Sequence, residues 1–201
     1  MSGKLVVFDG QDGCGKSSIC RAVASALTAL DVPHQVLAFP SRDSAVGGLI
    51  RDVFDGKAKV HPYAMMWLFV AEGVDMEPTI TELLKQGKIV LLDRHTAISG
   101  IVYQTKMHTR RDLDAVTSPA GFRTPHRIWI VDVPAGVALS RRGARGEARN
   151  VLYEPDDLEK QREQRAAYLN LTTETIPWLE VMNGELPIED NVKRALLDLG
   201  L

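Results

Sequence analysis

Residues 4–18 read KLVVFDGQDGCGKSS, which places a glycine-rich loop directly behind a short apolar run. The segment from Gly10 to Ser17 matches the pattern G-x-x-x-x-G-K-[ST], between a predicted strand and a predicted helix. Glycines let the backbone turn tightly, so that N–H groups and the helix amino terminus face an anion. The stretch therefore predicts a cradle for a nucleoside triphosphate. Its predicted nucleotide-binding residues are Gly10, Gly13, Cys14, Gly15, Lys16, Ser17 and Ser18.

Short apolar runs alternate with helical patterns along the rest of the chain. The strand candidates are KLVVF (4–8), HQVLAF (34–39), KIVLLD (88–93), RIWIVDV (127–133) and WLEVM (178–182). Because these runs are nearly continuous in Val, Ile and Leu, we expect strands that are buried on both faces, as in a parallel sheet. The helix candidates are 17–30, 47–54, 62–85, 134–142, 157–171 and 187–199. The pattern predicts an α/β fold with one domain over residues 1–201.

Composition narrows the classes of partner. The 24 Lys and Arg against 26 Asp and Glu give a net charge of -2, which argues against nucleic-acid binding by bulk electrostatics. The two cysteines, Cys14 and Cys20, cannot build a disulfide framework, so we expect a reducing, cytoplasmic setting. The chain lacks a run of about 18 apolar residues, so we expect no membrane span. The five histidines show no metal-ligand spacing.

Two arginines follow predicted strands at the edge where α/β sheets bind ligands. Arg42 lies in FPSRDSAVGGLIRDVF (39–54), and Arg94 lies in LLDRHTAISGIVYQ (91–104) after Asp93. A guanidinium can bind a phosphate with two hydrogen bonds, so the pair predicts a second anion site beside the first. Arginines exposed to solvent without a ligand are the alternative interpretation.

The segment RRGARGEARN (141–150) is too polar and too rich in glycine for the core, so we expect a mobile surface segment. Arg141, Arg145 and Arg149 are spaced by four and would share one face if this segment became helical. Arg142 would lie off that face. The segment predicts an arginine-rich lid of about residues 141–154, with a solvated basic patch as the alternative.

Five segments together resemble the thymidylate kinase family, in order and at fitting separations, over nearly the whole chain. They are FDGQDGCGKSS (8–18), FPSRDSAVGGLIRDVF (39–54), VLLDRHTAISGIVYQ (90–104), WIVDVPAGVALSRRGARGEARNVLYE (129–154) and LEKQREQRAAYLNL (158–171). The resemblance implies phosphorylation of dTMP to dTDP by ATP with Mg²⁺. It also implies a three-layer P-loop NTPase fold, with a five-stranded parallel sheet of order 2-3-1-4-5, and commonly a homodimer.

The resemblance also assigns roles to residues. It implies that Arg42 and Arg94 hold the phosphate of dTMP, that Asp12 helps to place the acceptor, and that Ser17 and Asp93 lie at Mg²⁺. The implied substrate-binding residues are Asp12, Phe39, Arg42, Phe69, Arg94, Ser99 and Tyr103, and the implied catalytic residues are Lys16, Asp12, Arg94, Arg145 and Arg149. From the residues alone, Asp12 could instead complement a helix amino terminus. Phe69 and Tyr103 could equally be core side chains.

The chain departs from the family pattern at Gly73 and in the segment from Asp93 to Tyr103, which is one residue longer than usual. Family members supply an arginine at the transferring phosphate either from the glycine loop or from the lid. The glycine loop has no arginine, so the resemblance leaves the lid arginines Arg145 and Arg149 to supply positive charge. Gly73 stands four residues after Phe69, where the family usually has an arginine that binds thymine. We therefore expect relaxed base selectivity, with space above Gly73 for an enlarged base, unless Glu72, Gln104 or a water replaces the contact.

Two other functions stay open at this stage. One is a nucleoside monophosphate kinase with a different base preference, and the other is a regulatory nucleotide-binding protein that transfers to no small acceptor. An acceptor clamp has no use in a regulatory switch, which favours a kinase.

Adenine contacts are expected from the backbone of NGELP (183–187).

Overall fold

The computed structural model describes residues 3–96, 98, 99, 102, 121–144, 157–171 and 178–201. Its strands are β1 (Lys4–Asp9), β2 (His34–Ala38), β3 (Ile89–Asp93), β4 (Arg127–Asp132) and β5 (Leu179–Asn183). Its helices are α1 (Lys16–Ala29), α2 (Ala45–Phe54), α3 (Pro62–Lys85), α4 (Ala135–Gly143), α5 (Leu158–Asn170) and α6 (Ile188–Leu199). Within these residues, no helix is both long enough and apolar enough to cross a membrane.

The strands form one parallel sheet in the order β2-β3-β1-β4-β5. Strand β1 lies at its centre, with Val6 paired to Leu91 on one side and to Arg127 on the other. Because all the strands run the same way, their carboxyl ends meet at one edge. The glycine loop after β1 and the Asp93–Arg94 pair at the end of β3 therefore share that edge, as the sequence predicts.

Successive residues of the inner strands enter two separate cores, since side chains alternate across a sheet. Leu5 and Val7 pack on one face with residues of α2, α3 and α5. Val6 and Phe8 pack on the other face with residues of α1, α4 and α6. This arrangement is the three-layer α/β fold that the resemblance implies.

Every predicted strand and helix is present, with ends that differ by at most two residues. The largest difference is at α2, which begins at Ala45 because the Ser44 side chain accepts a hydrogen bond from the Gly47 N–H. One prediction is wrong for the outer strands. Val36 of β2 and Val181 of β5 are each 36% exposed, because both strands lie at an edge of the sheet.

Candidate active site

The glycine loop takes the backbone shape that its sequence predicts. Gly10, Gly13 and Gly15 have φ values of 142°, 88° and 98°, in a region that side-chain-bearing residues rarely adopt. Gly13 also packs against the backbone of Ala138 in α4, which leaves no room for a Cβ. Gly15 caps α1, whose first residues are Lys16, Ser17 and Ser18. The amino terminus of a long helix therefore opens at the carboxyl edge of the sheet, which is the geometry of an anion site.

Two cations from different elements meet at one carboxylate in this loop. Lys16 is buried, and its Nζ lies 3.4 Å from Asp12 Oδ1 and 3.4 Å from the Gln11 carbonyl oxygen. Arg94 comes from the end of β3, with φ 72°, and its Nη2 donates to the same Oδ1. Asp12 thus joins the glycine loop to the edge of the neighbouring strand.

Asp9 anchors Arg94 from beneath and is fully buried. Its Oδ1 lies 3.3 Å from Arg94 Nη1, and the same Nη1 donates to the Gly10 carbonyl oxygen at 3.1 Å. The His95 N–H donates to Oδ2 at 3.1 Å, and the Ser99 hydroxyl lies 2.8 Å from Oδ2. Asp9 was not among the predicted site residues. Its position as the last residue of the central strand is the signal that could have identified it.

Helix α5 turns a polar side toward the same edge. Three of its side chains, spaced by four and three, carry these contacts: Arg165 and Tyr168 reach residues at the carboxyl ends of strands, and Gln161 reaches the glycine loop. The Tyr168 hydroxyl donates to Asp9 Oδ1 at 3.0 Å and accepts from Arg94 Nη1 at 3.1 Å. Arg165 pairs with both oxygens of Asp132 at 2.8 Å, and this pair raises the pKa of Arg165. The spacing is visible in the sequence, but the partners of these side chains are not.

Helix α4 brings Arg141 and Arg142 near the glycine loop, where they bind different partners. Arg141 Nη1 lies 3.4 Å from the Cys14 carbonyl oxygen and 3.2 Å from that of Gly184. Arg142 Nη1 donates to Gln161 Oε1 at 3.1 Å. Arg141 therefore lies between the loop and residues 183–187, where adenine contacts are expected.

The loop after β2 is held from below by a fully buried carboxylate. Glu72 on α3 accepts from the Ser41 N–H at 2.8 Å and from the Ser44 hydroxyl at 2.5 Å. Arg42 follows Ser41 and is exposed. Burial and the nearby charge of Arg42 lower the pKa of Arg51, which donates to the Pro40 carbonyl oxygen. The loop thus presents Arg42 at the end of β2, next to the strand that carries Arg94.

The expected base-stacking residue lies in an aromatic cluster. Phe69 is 6% exposed, with ring centroids 5.9 Å from Phe39 and 6.2 Å from Phe54. This position agrees with the core alternative for Phe69, and Phe39 is buried beside it. A role for either ring against a base stays a prediction.

The expectation of open space above Gly73 is wrong. A Cβ on Gly73 would lie 2.5 Å from Thr96 Oγ1 and 2.7 Å from Phe122 Cε1. Side chains of this chain therefore fill the direction in which a longer residue at 73 would project. Phe122 also packs edge-on against His95, at 6.0 Å between ring centroids. Glu72 is not a free replacement for the missing donor, since its oxygens bind Ser41 and Ser44.

Titratable groups behind the site are held in their neutral forms by burial. Burial lowers the pKa of His95 to about 4, so its imidazole is uncharged at neutral pH. Burial is also the main cause of the raised pKa of the Cys14 thiol and of the Cys20 thiol, whose pKa rises to about 12. The charge of Asp93 adds to the shift at Cys20. Asp93 lies on the α1 side of the sheet because it alternates along β3 with Ile89 and Leu91, which pack there.

The oxygen donors at this edge suit Mg²⁺. Magnesium usually keeps several waters and binds one or two protein oxygens together with phosphates of the substrate. Ser17 is on the first turn of α1, and Asp93 ends β3 near the same helix. The described residues contain no cluster of three or more His, Cys, Asp or Glu, so a dedicated protein cage is not found there.

The structure brings together most of the residues predicted from sequence. Lys16, Asp12 and Arg94 meet directly, and Ser99 lies behind them on Asp9. The predictions for Tyr103, Gln104, Arg145 and Arg149, and most of the lid at 141–154, lie outside the described residues. The functional candidates that the sequence did not single out are Asp9, Gln11, Gln161 and Tyr168.

Known proteins are similar to this chain in both sequence and fold. The thymidylate kinase family model matches residues 8–195. Thymidylate kinase of Danio rerio is 27% identical over 198 residues, covering 98% of this chain and 89% of that protein. The human thymidylate kinase is 31% identical over 148 residues, covering 73% and 68% of the two chains. The solved thymidylate kinase of Candida albicans superposes with a TM-score of 0.79 at 21% identity, covering 99% and 92%. The chain therefore belongs to the thymidylate kinase family, a family of phosphotransferases.

Proposed function

We propose that this protein transfers the terminal phosphate of ATP to dTMP, giving ADP and dTDP. The observation that carries the proposal is the meeting of Lys16 and Arg94 at Asp12. Lys16 belongs to the triphosphate cradle and Arg94 to the end of the adjacent strand, so two phosphate sites lie side by side. Phosphoryl transfer needs this arrangement because its catalysis depends on alignment and on positive charge around the moving group.

Each charged residue then has a defined task. Lys16 binds the terminal phosphates of ATP, and Arg94, braced by Asp9, binds the phosphate of dTMP with Arg42. When these phosphates bind, they replace Asp12 as the partner of Lys16 and Arg94. The Asp12 carboxylate is then available to the sugar of the acceptor. We infer that Arg145 and Arg149 add charge at the transferring group, since the glycine loop has no arginine.

We propose Mg²⁺ as the required metal ion, with Ser17 as a ligand and Asp93 close by. Bound there, the ion would neutralise charge on the phosphate oxygens of ATP. The oxygen donors of the two residues and their place at the start of α1 support this assignment.

We also propose that the enzyme selects weakly among deoxynucleoside monophosphates. Gly73 offers no donor, its side-chain direction is filled by Phe122, and Glu72 is committed to the loop after β2. Stacking and shape give only about 10- to 200-fold discrimination, whereas a buried hydrogen-bonding site can reject analogues by roughly 10⁴ to 10⁵. The alternative is a kinase of the same family that prefers a deoxynucleoside monophosphate with another base.

The selectivity test is a panel of kcat/KM values for dTMP, dUMP, dCMP, dGMP and dAMP, measured by coupled ADP formation. We expect dTMP to be accepted and at least one other base to fall within about 200-fold of it. A preference for dTMP beyond about 10⁴ over every other base would exclude weak selection.

We further propose a homodimer that forms through α3. Tyr63, Trp67 and Val74 are each almost half exposed, and their spacing places them on one face of this helix. Exposed aromatic residues on one face are typical of a protein interface. Sedimentation analysis should find a dimer that Trp67→Glu dissociates and that Leu197→Glu, a control on exposed α6, leaves intact. A monomeric wild-type protein at assay concentration would contradict this.

We propose that the reaction takes place in the cytoplasm, and the free, buried thiols of Cys14 and Cys20 support this location. Fractionation of cells that express the protein would test the assignment, with recovery in an exported fraction as the contrary result.

A further inference from the structure

Gln161 on α5 joins two helices and the glycine loop through both ends of its amide. The side chain is fully buried. Its Oε1 accepts from Arg142 Nη1 at 3.1 Å. Its Nε2 donates to Gln11 Oε1 at 2.7 Å and lies 3.3 Å from the Asp12 carbonyl oxygen. A buried amide with its oxygen and nitrogen both engaged holds its neighbours in one arrangement.

Gln11 continues this chain of hydrogen bonds to the other end of α4. It is also buried, and its Nε2 donates to the Val133 carbonyl oxygen at 2.6 Å. Val133 directly precedes Pro134, the N-cap residue of α4, while Arg142 lies in the last turn of that helix. This series of hydrogen bonds therefore runs from Arg142, at the carboxyl end of α4, through Gln161 and Gln11 to Val133, just before the amino end of the same helix.

The direction of these bonds is fixed. Arg142 can only donate and the Val133 carbonyl can only accept, so each amide between them must accept on one side and donate on the other. The glycine loop is inserted into this circuit at Gln11 and Asp12. A shift of α4 or α5 would therefore move the main chain at Asp12, and with it the carboxylate that Lys16 and Arg94 share.

We propose that Gln161 is a positioning residue for phosphoryl transfer. It sets the main chain of the glycine loop at Asp12 relative to α4, and so aligns Lys16 and Arg94 for the reaction. The inference rests on the proposed kinase function. Because a misplacement of about 1 Å can cost on the order of 100-fold in rate, loss of this amide should lower kcat more than it weakens binding.

A purely structural role for Gln161 makes a different prediction. It would lower the melting temperature without a specific loss of kcat in the folded protein. It would also leave no coupling between Gln161 and Arg142 in kcat, because neither substitution would then change the rate of the folded protein.

The test is a double-mutant cycle on kcat for dTMP phosphorylation at saturating ATP and dTMP. The variants are Gln161→Met, Arg142→Met and the double substitution. Arg162→Met is the matched control, since Arg162 is the exposed next residue of α5. The isosteric Gln161→Glu keeps an acceptor for Arg142 but loses the donor to Gln11, and it decides the matter if Gln161→Met does not fold.

We expect Gln161→Met and Gln161→Glu to lower kcat at least about tenfold, with both KM values within about threefold of wild type. The double variant should be no slower than Gln161→Met alone, and Arg162→Met should match wild type. Unchanged kcat in both Gln161 variants, or effects of Gln161→Met and Arg142→Met that multiply, would overturn the inference. If the wild type formed no dTDP, the proposed function would fail first, and this inference with it.

Discussion

Replacement of Asp9 by Asn should weaken both the fold and the reaction. The carboxylate is fully buried and accepts hydrogen bonds on both oxygens. The Asn side chain has only one acceptor oxygen, so its NH₂ group must take the place of the other oxygen and face hydrogen-bond donors. The less costly orientation puts the NH₂ group at Oδ2, where the His95 N–H lies at 3.1 Å and the Ser99 hydroxyl can rotate away. One bond to a charged acceptor is then lost, and Arg94 loses a buried partner.

The magnitude follows from these losses. A hydrogen bond to a charged group contributes about 1.5–3 kcal/mol, and removal of one member of a buried ion pair costs about 3–5 kcal/mol. Arg94 keeps its contact with Asp12, so we expect Asp9→Asn to cost about 3 kcal/mol of unfolding free energy. We also expect kcat to fall at least about tenfold, because the Arg94 guanidinium is no longer held in place by a charged Asp9.

Urea denaturation with an unchanged m-value measures the first effect, and steady-state kinetics measure the second. Tyr168→Phe is the matched comparison, since it removes only the hydroxyl that donates to Asp9 at 3.0 Å. It should cost about 1.5–3 kcal/mol, less than Asp9→Asn. A loss below about 1 kcal/mol for Asp9→Asn, with normal kcat, would refute the role of Asp9 as the anchor of Arg94.

Three further predictions follow from the site. Lys16→Ala should lower kcat by about 10² to 10³, as expected for a lost electrostatic contact with the transferring group, and near-normal turnover in the folded variant would contradict the cradle. Arg42→Ala should raise the KM for dTMP and leave the KM for ATP nearly unchanged, and an effect on ATP alone would reverse the assignment of the two phosphate sites. Burial lowers the pKa of His95 from 6.5 to about 4, so its contribution to stability is complete above pH 6.5 and is lost as the pH falls toward 4. Between pH 7 and 4.5 the wild type should therefore lose about 2–3 kcal/mol of unfolding free energy that His95→Gln does not lose, and equal losses measured by urea denaturation would contradict this.

The fold follows closely from the sequence because its signals are local. The apolar runs and the glycine loop identify the strands and the start of α1 without reference to distant residues. The exposure of Val36 and Val181 could not be predicted from such local signals. Whether an apolar run is central or at an edge depends on strand order, which came from the resemblance.

The relative positions of the predicted site residues follow from the sequence where a motif fixes them. Lys16, Asp12 and Arg94 meet as the sequence suggests, because the carboxyl ends of β1 and β3 are adjacent in a parallel sheet. The positions of Gln161 and Phe122 were not predictable. Gln161 reaches Gln11 from 150 residues away, and nothing near Gly73 in the sequence indicates that Phe122 fills the space beside it.

The central claim is that the two phosphate sites meeting at Asp12 transfer phosphate from ATP to dTMP. It is tested most directly by incubating the protein and Mg²⁺ with ATP labelled at the γ-phosphate, with and without dTMP. The label is then followed after separation of nucleotides from inorganic phosphate. We predict that the label appears in dTDP and depends on dTMP, with little release as inorganic phosphate. Label released only as inorganic phosphate, at a rate that dTMP does not change, would contradict the account.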